Sequence, residues 1–189
     1  AQLSMTNLVS NTGVVGTDVT GVGTARSQVG GCDYGGDKGI FAFGADSGSS
    51  YVSVSNLVSN AGVVGTDVTG VGTARGYVKA CEYGEDKGIF GFGHVAPTDQ
   101  SMTNLISNAG VVATDTTGVG TARHGLGACS YGYDKGIFGF GYQVGGSKVS
   151  MTNLVSNVGV VGTDVTGVGT ARSTLAATQY GGDKGIFGY

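Results

Sequence analysis

Tryptophan is absent from the 189 residues, proline occurs once, and charged residues make up 12%, about half the usual share. Each scarcity excludes something. With no Gly-X-Y triplet and a single proline the chain is not collagen-like. Apolar runs stop at about four residues, where a membrane-spanning helix needs roughly 20. A net charge of −3 gives no electrostatic footprint for nucleic acid. The start lacks a charged segment followed by an apolar one, so no signal peptide is expected. Three cysteines, an odd count spaced one repeat apart, argue against a disulfide framework. HExxH, GxSxG and CxxC are all missing, and only two histidines occur. The expectation is a non-catalytic protein with no cofactor, no metal, no nucleic-acid partner and no membrane.

What the chain has is glycine, 39 of 189 residues, with 40% hydrophobic residues. That apolar share is too high for a solvated, disordered chain. The glycines belong to a repeat. Asn7–Arg26 returns almost unchanged at Asn56–Arg75, Asn104–Arg123 and Asn153–Arg172, the arginines lying 49, 48 and 49 residues apart. A second block, Asp-Lys-Gly-Ile-Phe, starts at Asp37, Asp86, Asp134 and Asp183. The chain is therefore one repeat domain of four units, approximately 4–52, 53–100, 101–149 and 150–189. Identity this high fits recent duplication and design equally.

Valine, isoleucine and phenylalanine punctuated by glycine, asparagine and aspartate read as strands, and no helical period is sustained. In the second unit four strands are expected near 75–83, 88–93, 52–59 and 63–69. Turns are expected at Tyr83-Gly84-Glu85-Asp86 and Asn60-Ala61-Gly62, where glycine or asparagine accepts φ > 0. Four short antiparallel strands in about 48 residues are the signature of a β-propeller blade. The fold class expected is all-β, a four-bladed β-propeller. Its ring closes when N-terminal and C-terminal strands share a blade, since neither end satisfies its backbone hydrogen bonds alone.

The order Arg123 to Ala128, Lys135 to Gly141 and Thr152-Asn153-Leu154 resembles a kelch-type repeat. It departs from that pattern where Gly139 and Gly141 are split and where Leu154 stands in place of tryptophan. The strings Thr-Asn-Leu-Val-Ser-Asn, Gly-Val-Gly-Thr-Ala-Arg and Asp-Lys-Gly-Ile-Phe-Gly are also similar to repeat tracts in tail and virion-surface proteins of marine phages. The first resemblance implies a propeller used as a binding platform. The second implies a virion-surface location, assembly in the host cytoplasm, and other appendage proteins or cell-surface glycans as partners. An extracellular lectin and a fibre-forming β-solenoid are the alternatives, and both a monomeric ring and a homo-oligomer are open.

Among candidate site residues, Cys32, Cys81 and Cys129 share one repeat position, which Thr178 fills in the fourth unit. They read as small buried residues of an inner strand; an axial metal ring lacks a fourth ligand. Gly21 to Arg26 begins like a dinucleotide-binding fingerprint, but Arg26 replaces the third glycine and no helix follows. Asp37-Lys38 reads as a charged hairpin tip. The repeated polar residues Asp18, Arg26, Asp67, Arg75, Asp115, Arg123, Asp164 and Arg172 read as a structural network, with a ring of four anion or sugar sites as the alternative. Differences between units concentrate after each arginine and after each Ile-Phe-x-Phe-Gly. Tyr51, Tyr77, His94, His124 and Tyr142 in those stretches are the candidate contact residues.

Overall fold

Fifteen short strands and no helix make up the computed structural model, which describes residues 2–189. The first five are β1 (Arg26–Ser27), β2 (Gly30–Tyr34), β3 (Lys38–Ala42), β4 (Ala45–Asp46) and β5 (Ser55–Val58). The next five are β6 (Lys79–Tyr83), β7 (Lys87–Gly91), β8 (His94–Val95), β9 (Thr98–Asp99) and β10 (Thr103–Ile106). They are followed by β11 (Gly127–Tyr131), β12 (Lys135–Gln143), β13 (Ser147–Val155), β14 (Ala176–Tyr180) and β15 (Lys184–Gly188).

The all-β class is as expected, and the repeat is visible as repeated sheets. Three antiparallel sheets run β2-β3-β5, β6-β7-β10 and β11-β12-β13, and a hairpin, β14-β15, follows. Each sheet takes its third strand from the next copy of the sequence repeat, so structural and sequence units are offset by half a repeat. The fourth strand expected at 63–69 reduces to two isolated bridges, Val58↔Val64 and Ser55↔Val68. The strand expected from Arg75 begins only at Lys79, because Tyr77 turns to φ 56°. The turn glycines do what was expected of them: Gly84 has φ 60° and Gly62 has φ 74°.

Strands β3 and β7 end, and β12 bulges, for one reason. Phe43, Phe92 and Phe140 adopt φ of 59–61°, each followed by a glycine at 109–117°. A phenylalanine there costs about 1–2 kcal/mol. The turn drives each ring into the space between sheets, where Phe43 meets Phe90 and Phe92 meets Phe138 edge-on at 5.3 Å. Burying such a ring returns about 1.5–3 kcal/mol. One core cluster joins Phe43, Val78, Phe90 and Ile106; a second joins Ile89, Phe92, Leu126, Phe138 and Val155. The core is thus a series of sheet-to-sheet seams.

The seams are also narrow at glycine. A Cβ on Gly136 would lie 2.5 Å from Cys81 Sγ, and one on Gly88 2.7 Å from Cys32 Sγ. At the hairpin tips Gly35 N–H donates to the Asp86 carbonyl, and Gly84 N–H to that of Asp134. The first strands pack in succession, β2 on β6, β6 on β11 and β11 on β14. At the ends, β15 pairs with β14 alone, and Thr6 and Val9 are bridged only to Val19 and Val15. Among the described residues no ladder joins the two ends, so the shared blade expected from the sequence is not formed by strand pairing here.

Candidate functional site

Two polar constellations emerge, one repeated and one unique. The repeated one centres on arginine. Arg75 donates through Nε to the Phe92 carbonyl (2.8 Å), through Nη1 to that of Thr73 (3.0 Å), and through Nη2 to Asn104 Oδ1 (2.7 Å). Asn104 in turn donates to Asp115 Oδ1 at 2.9 Å, and Asp115 Oδ2 accepts from the Thr73 hydroxyl and amide. Arg75 also lies over the Phe43 ring of the preceding sheet, 4.3 Å from its centroid. The pattern recurs at Arg123, Asn153 and Asp164, and with looser arginine geometry at Arg26, Asn56 and Asp67.

Arg75 and Arg123 are fully buried. Burial pulls both guanidinium groups down to about 10, against Asp115 and Asp164, which hold them up; they remain cationic at neutral pH. Arg26, Arg75 and Arg123 each reach the aspartate of the following repeat, and only at 3.7–3.9 Å. The asparagine makes the direct bonds. Sequence reasoning singled out the arginines and aspartates and missed Asn56, Asn104 and Asn153. The signal was present: an asparagine recurring inside a strand, where asparagine is ordinarily depleted, must be doing something specific.

The fourth copy is divided between the ends. Asp18 is exposed and bonded to Asn7, while Arg172 donates to the Thr170 and Phe187 carbonyls and stacks on Phe140 at 4.1 Å. The structure does not bring Asp18 and Arg172 together. The cysteines lie on β2, β6 and β11, with Cys81 and Cys129 buried and Cys32 half-buried, all three free. Burial pushes the Cys32 thiol up to about 12 and raises those of Cys81 and Cys129, which makes them poor metal ligands.

The unique constellation collects the candidate contact residues. Gly76 and His94 exchange backbone hydrogen bonds (3.0 and 2.8 Å), and His124 and Tyr142 do the same at the equivalent place one repeat on (2.9 and 2.8 Å). Stacking the sheets therefore sets the four positions side by side. The His94 and His124 rings lie 5.1 Å apart; Tyr77 and Tyr142 each lie 5.3 Å from His124, and Tyr51 lies 6.4 Å from His94. All five candidates from the variable stretches share one cluster. Gly76 makes room for it: a Cβ there would fall 2.6 Å from Tyr51 Cε1. Burial, with Tyr77 adding to it, raises the Tyr51 phenol above its ordinary value.

At the centre is Asp99, which sequence reasoning did not single out. β8 and β9 form a hairpin in which His94 faces Asp99. Asp99 Oδ1 lies 2.9 Å from His94 Nδ1 and 2.7 Å from His124 Nδ1, while Oδ2 accepts from Val144 N–H at 2.7 Å. Its side chain is 5% exposed. The available signal was a carboxylate five residues from a histidine in a stretch foreign to the repeat. Chemically the cluster offers two imidazoles, one carboxylate and three phenol rings, a set suited to stacking, hydrogen bonding or holding a cation. No family model matches the sequence, and no curated protein matches it.

Proposed function

We propose that the chain is a non-catalytic binding module in which a repeated scaffold carries one unit-specific recognition cluster. The observation that carries this reading is the convergence of Tyr51, Tyr77, His94, His124 and Tyr142, all from stretches that differ between units, on one place. Residues shared by the units are engaged in the Arg–Asn–Asp network instead. A rigid scaffold with variable loops is a general design for recognition.

The finer architecture in this proposal is a four-bladed, kelch-like propeller. Two facts support it. Gly30, Ala80, Ala128 and Ala176, one from each inner strand, line a common cavity. The ends are complementary halves: β15 offers the edge that β12 gives to Thr152–Val155, and Thr6–Val9 is the matching strand. The place assigned is a phage tail or virion surface, on the resemblance of the repeats to such tracts. Cell-surface carbohydrate is the second reading, favoured by aromatic ring faces beside a carboxylate in the cluster.

The test compares the chain with a Tyr51→Ala/Tyr77→Ala/Tyr142→Ala variant on a glycan array and on isolated bacterial envelopes. Loss of wild-type binding in the variant, with the fold intact by circular dichroism, supports a recognition cluster. Equal binding by both proteins sinks it, and a null across all glycans removes the lectin reading.

A further inference from the structure

We infer that His94, Asp99 and His124 form a binding site for a divalent transition-metal ion of the zinc class. The inference deepens the recognition cluster just proposed and rests on that reading only for its biological use.

The chain contains two histidines, 30 residues apart in sequence, His94 on β8 and His124 in the segment before β11, where it is bridged to Tyr142. Both direct Nδ1 at the same oxygen of one nearly buried carboxylate, and the three donor atoms lie within 4.8 Å of one another. Ligands around zinc at about 2.0–2.1 Å stand about 2.9 Å apart at right angles and about 3.4 Å apart in a tetrahedron. The nitrogen-to-oxygen separations of 2.9 and 2.7 Å are close to the right-angle spacing, and a tetrahedral site needs the side chains to spread by about 0.5–0.7 Å. Two imidazoles and one carboxylate suit zinc, nickel or copper, and are a poor match for calcium or magnesium, which take oxygen ligands.

The support around the donors is also in place. Asp99 Oδ2 is held by Val144 N–H, which keeps Oδ1 turned toward both imidazoles. Ligation through Nδ1 requires that nitrogen to carry no proton, so each imidazole would bind as its Nε2–H tautomer, and any proton displaced goes to solvent. Three protein ligands leave further positions for water or for an oxygen of a bound molecule. His94 and Asp99 come from the β8–β9 hairpin and His124 from the segment before β11, so the ion would also clamp one to the other.

Titration calorimetry with zinc chloride alone, in a non-chelating buffer, tests this without any surface ligand. Saturable one-to-one binding is expected, weakened at least about tenfold by His124→Gln and, separately, by Asp99→Asn. Cobalt is expected to give visible d–d bands that His94→Gln abolishes. If Asp99→Asn fails to fold, the two rim histidine variants decide. No saturable binding, or stoichiometric binding unchanged in both histidine variants, overturns the site. Zinc binding without envelope or glycan binding would leave the metal site standing and remove the recognition reading; the reverse result would do the opposite.

Discussion

Arg75 and Asn104 are both fully buried and joined by a 2.7 Å hydrogen bond between Nη2 and Oδ1. That contact ties the segment leading into β6 to β10, the last strand of the same sheet, although 29 residues separate the partners. Arg75→Ala would orphan the Phe92 and Thr73 carbonyls, leave Asn104 Oδ1 unpaired and empty the space over Phe43. The expected loss is on the order of 3 kcal/mol in urea unfolding. A loss below about 1 kcal/mol, the size of a surface pair, would show that the network is ornamental.

The divided fourth site gives a sharper comparison. If the ends pair as proposed, Arg172 reaches Asn7 and Asp18, and Arg172→Ala lowers the melting temperature nearly as much as Arg75→Ala. Asp18→Arg does likewise, and Asp18→Arg with Arg172→Asp recovers part of the loss. If Arg172→Ala leaves melting close to wild type, the ends are apart in solution. Light scattering then separates one chain closing on itself from two chains joining.

Acid sensitivity follows from the aspartates of the network. Burial works against ionisation of Asp67, Asp115 and Asp164, yet hydrogen bonds from Thr24, Thr73 and Thr121 and from the three asparagines outweigh it, and each carboxyl lies below its usual value. A depressed folded value stabilises fully above the unfolded one, about 3.9, and the stabilisation is lost as pH falls through the folded value. Stability is therefore expected to drop below about pH 4. Asp115→Asn should be less stable at pH 7 and show a shallower acid decline in urea titrations. An unchanged acid slope in that variant would contradict the assignment.

These partners show where sequence reading stops. The period, the strands after each arginine and the turn at Gly84 follow from residue types that favour only one local conformation. Pairing of Arg75 with the aspartate of the next repeat does not, because either aspartate has the right charge and only the half-repeat offset of the sheets decides. Phe92 was legible as apolar, but its left-handed backbone is imposed by the seam it fills. The His94–Asp99–His124 cluster was legible only as separate residues. Its geometry depends on two backbone bridges, Gly76↔His94 and His124↔Tyr142, brought together by packing between sheets.

Thiol chemistry offers an independent check on the packing. Burial holds Cys32 near 12 and pushes Cys81 well above its ordinary value, so neither supplies much thiolate at pH 8. Dithionitrobenzoate is expected to leave both unmodified in the native protein and to titrate three thiols after denaturation in guanidinium. Rapid native labelling of Cys81 would mean that the seam between the first and second strands of neighbouring sheets opens readily.

The same seam predicts a coupled pair of substitutions. A Cβ on Gly136 would meet Cys81 Sγ at 2.5 Å, with the Glu82 carbonyl at 3.2 Å and Val155 Cβ at 3.4 Å. Gly136→Ala should therefore destabilise by about 1–3 kcal/mol, the cost of an overpacked core. Cys81→Ala removes the nearest obstacle, so the double variant should lose less than the sum of the two single losses, with a coupling of at least about 0.5 kcal/mol. Simple additivity in urea unfolding would place the obstacle in the Glu82 backbone, and the glycine would then be required by the neighbouring strand itself and not by the thiol.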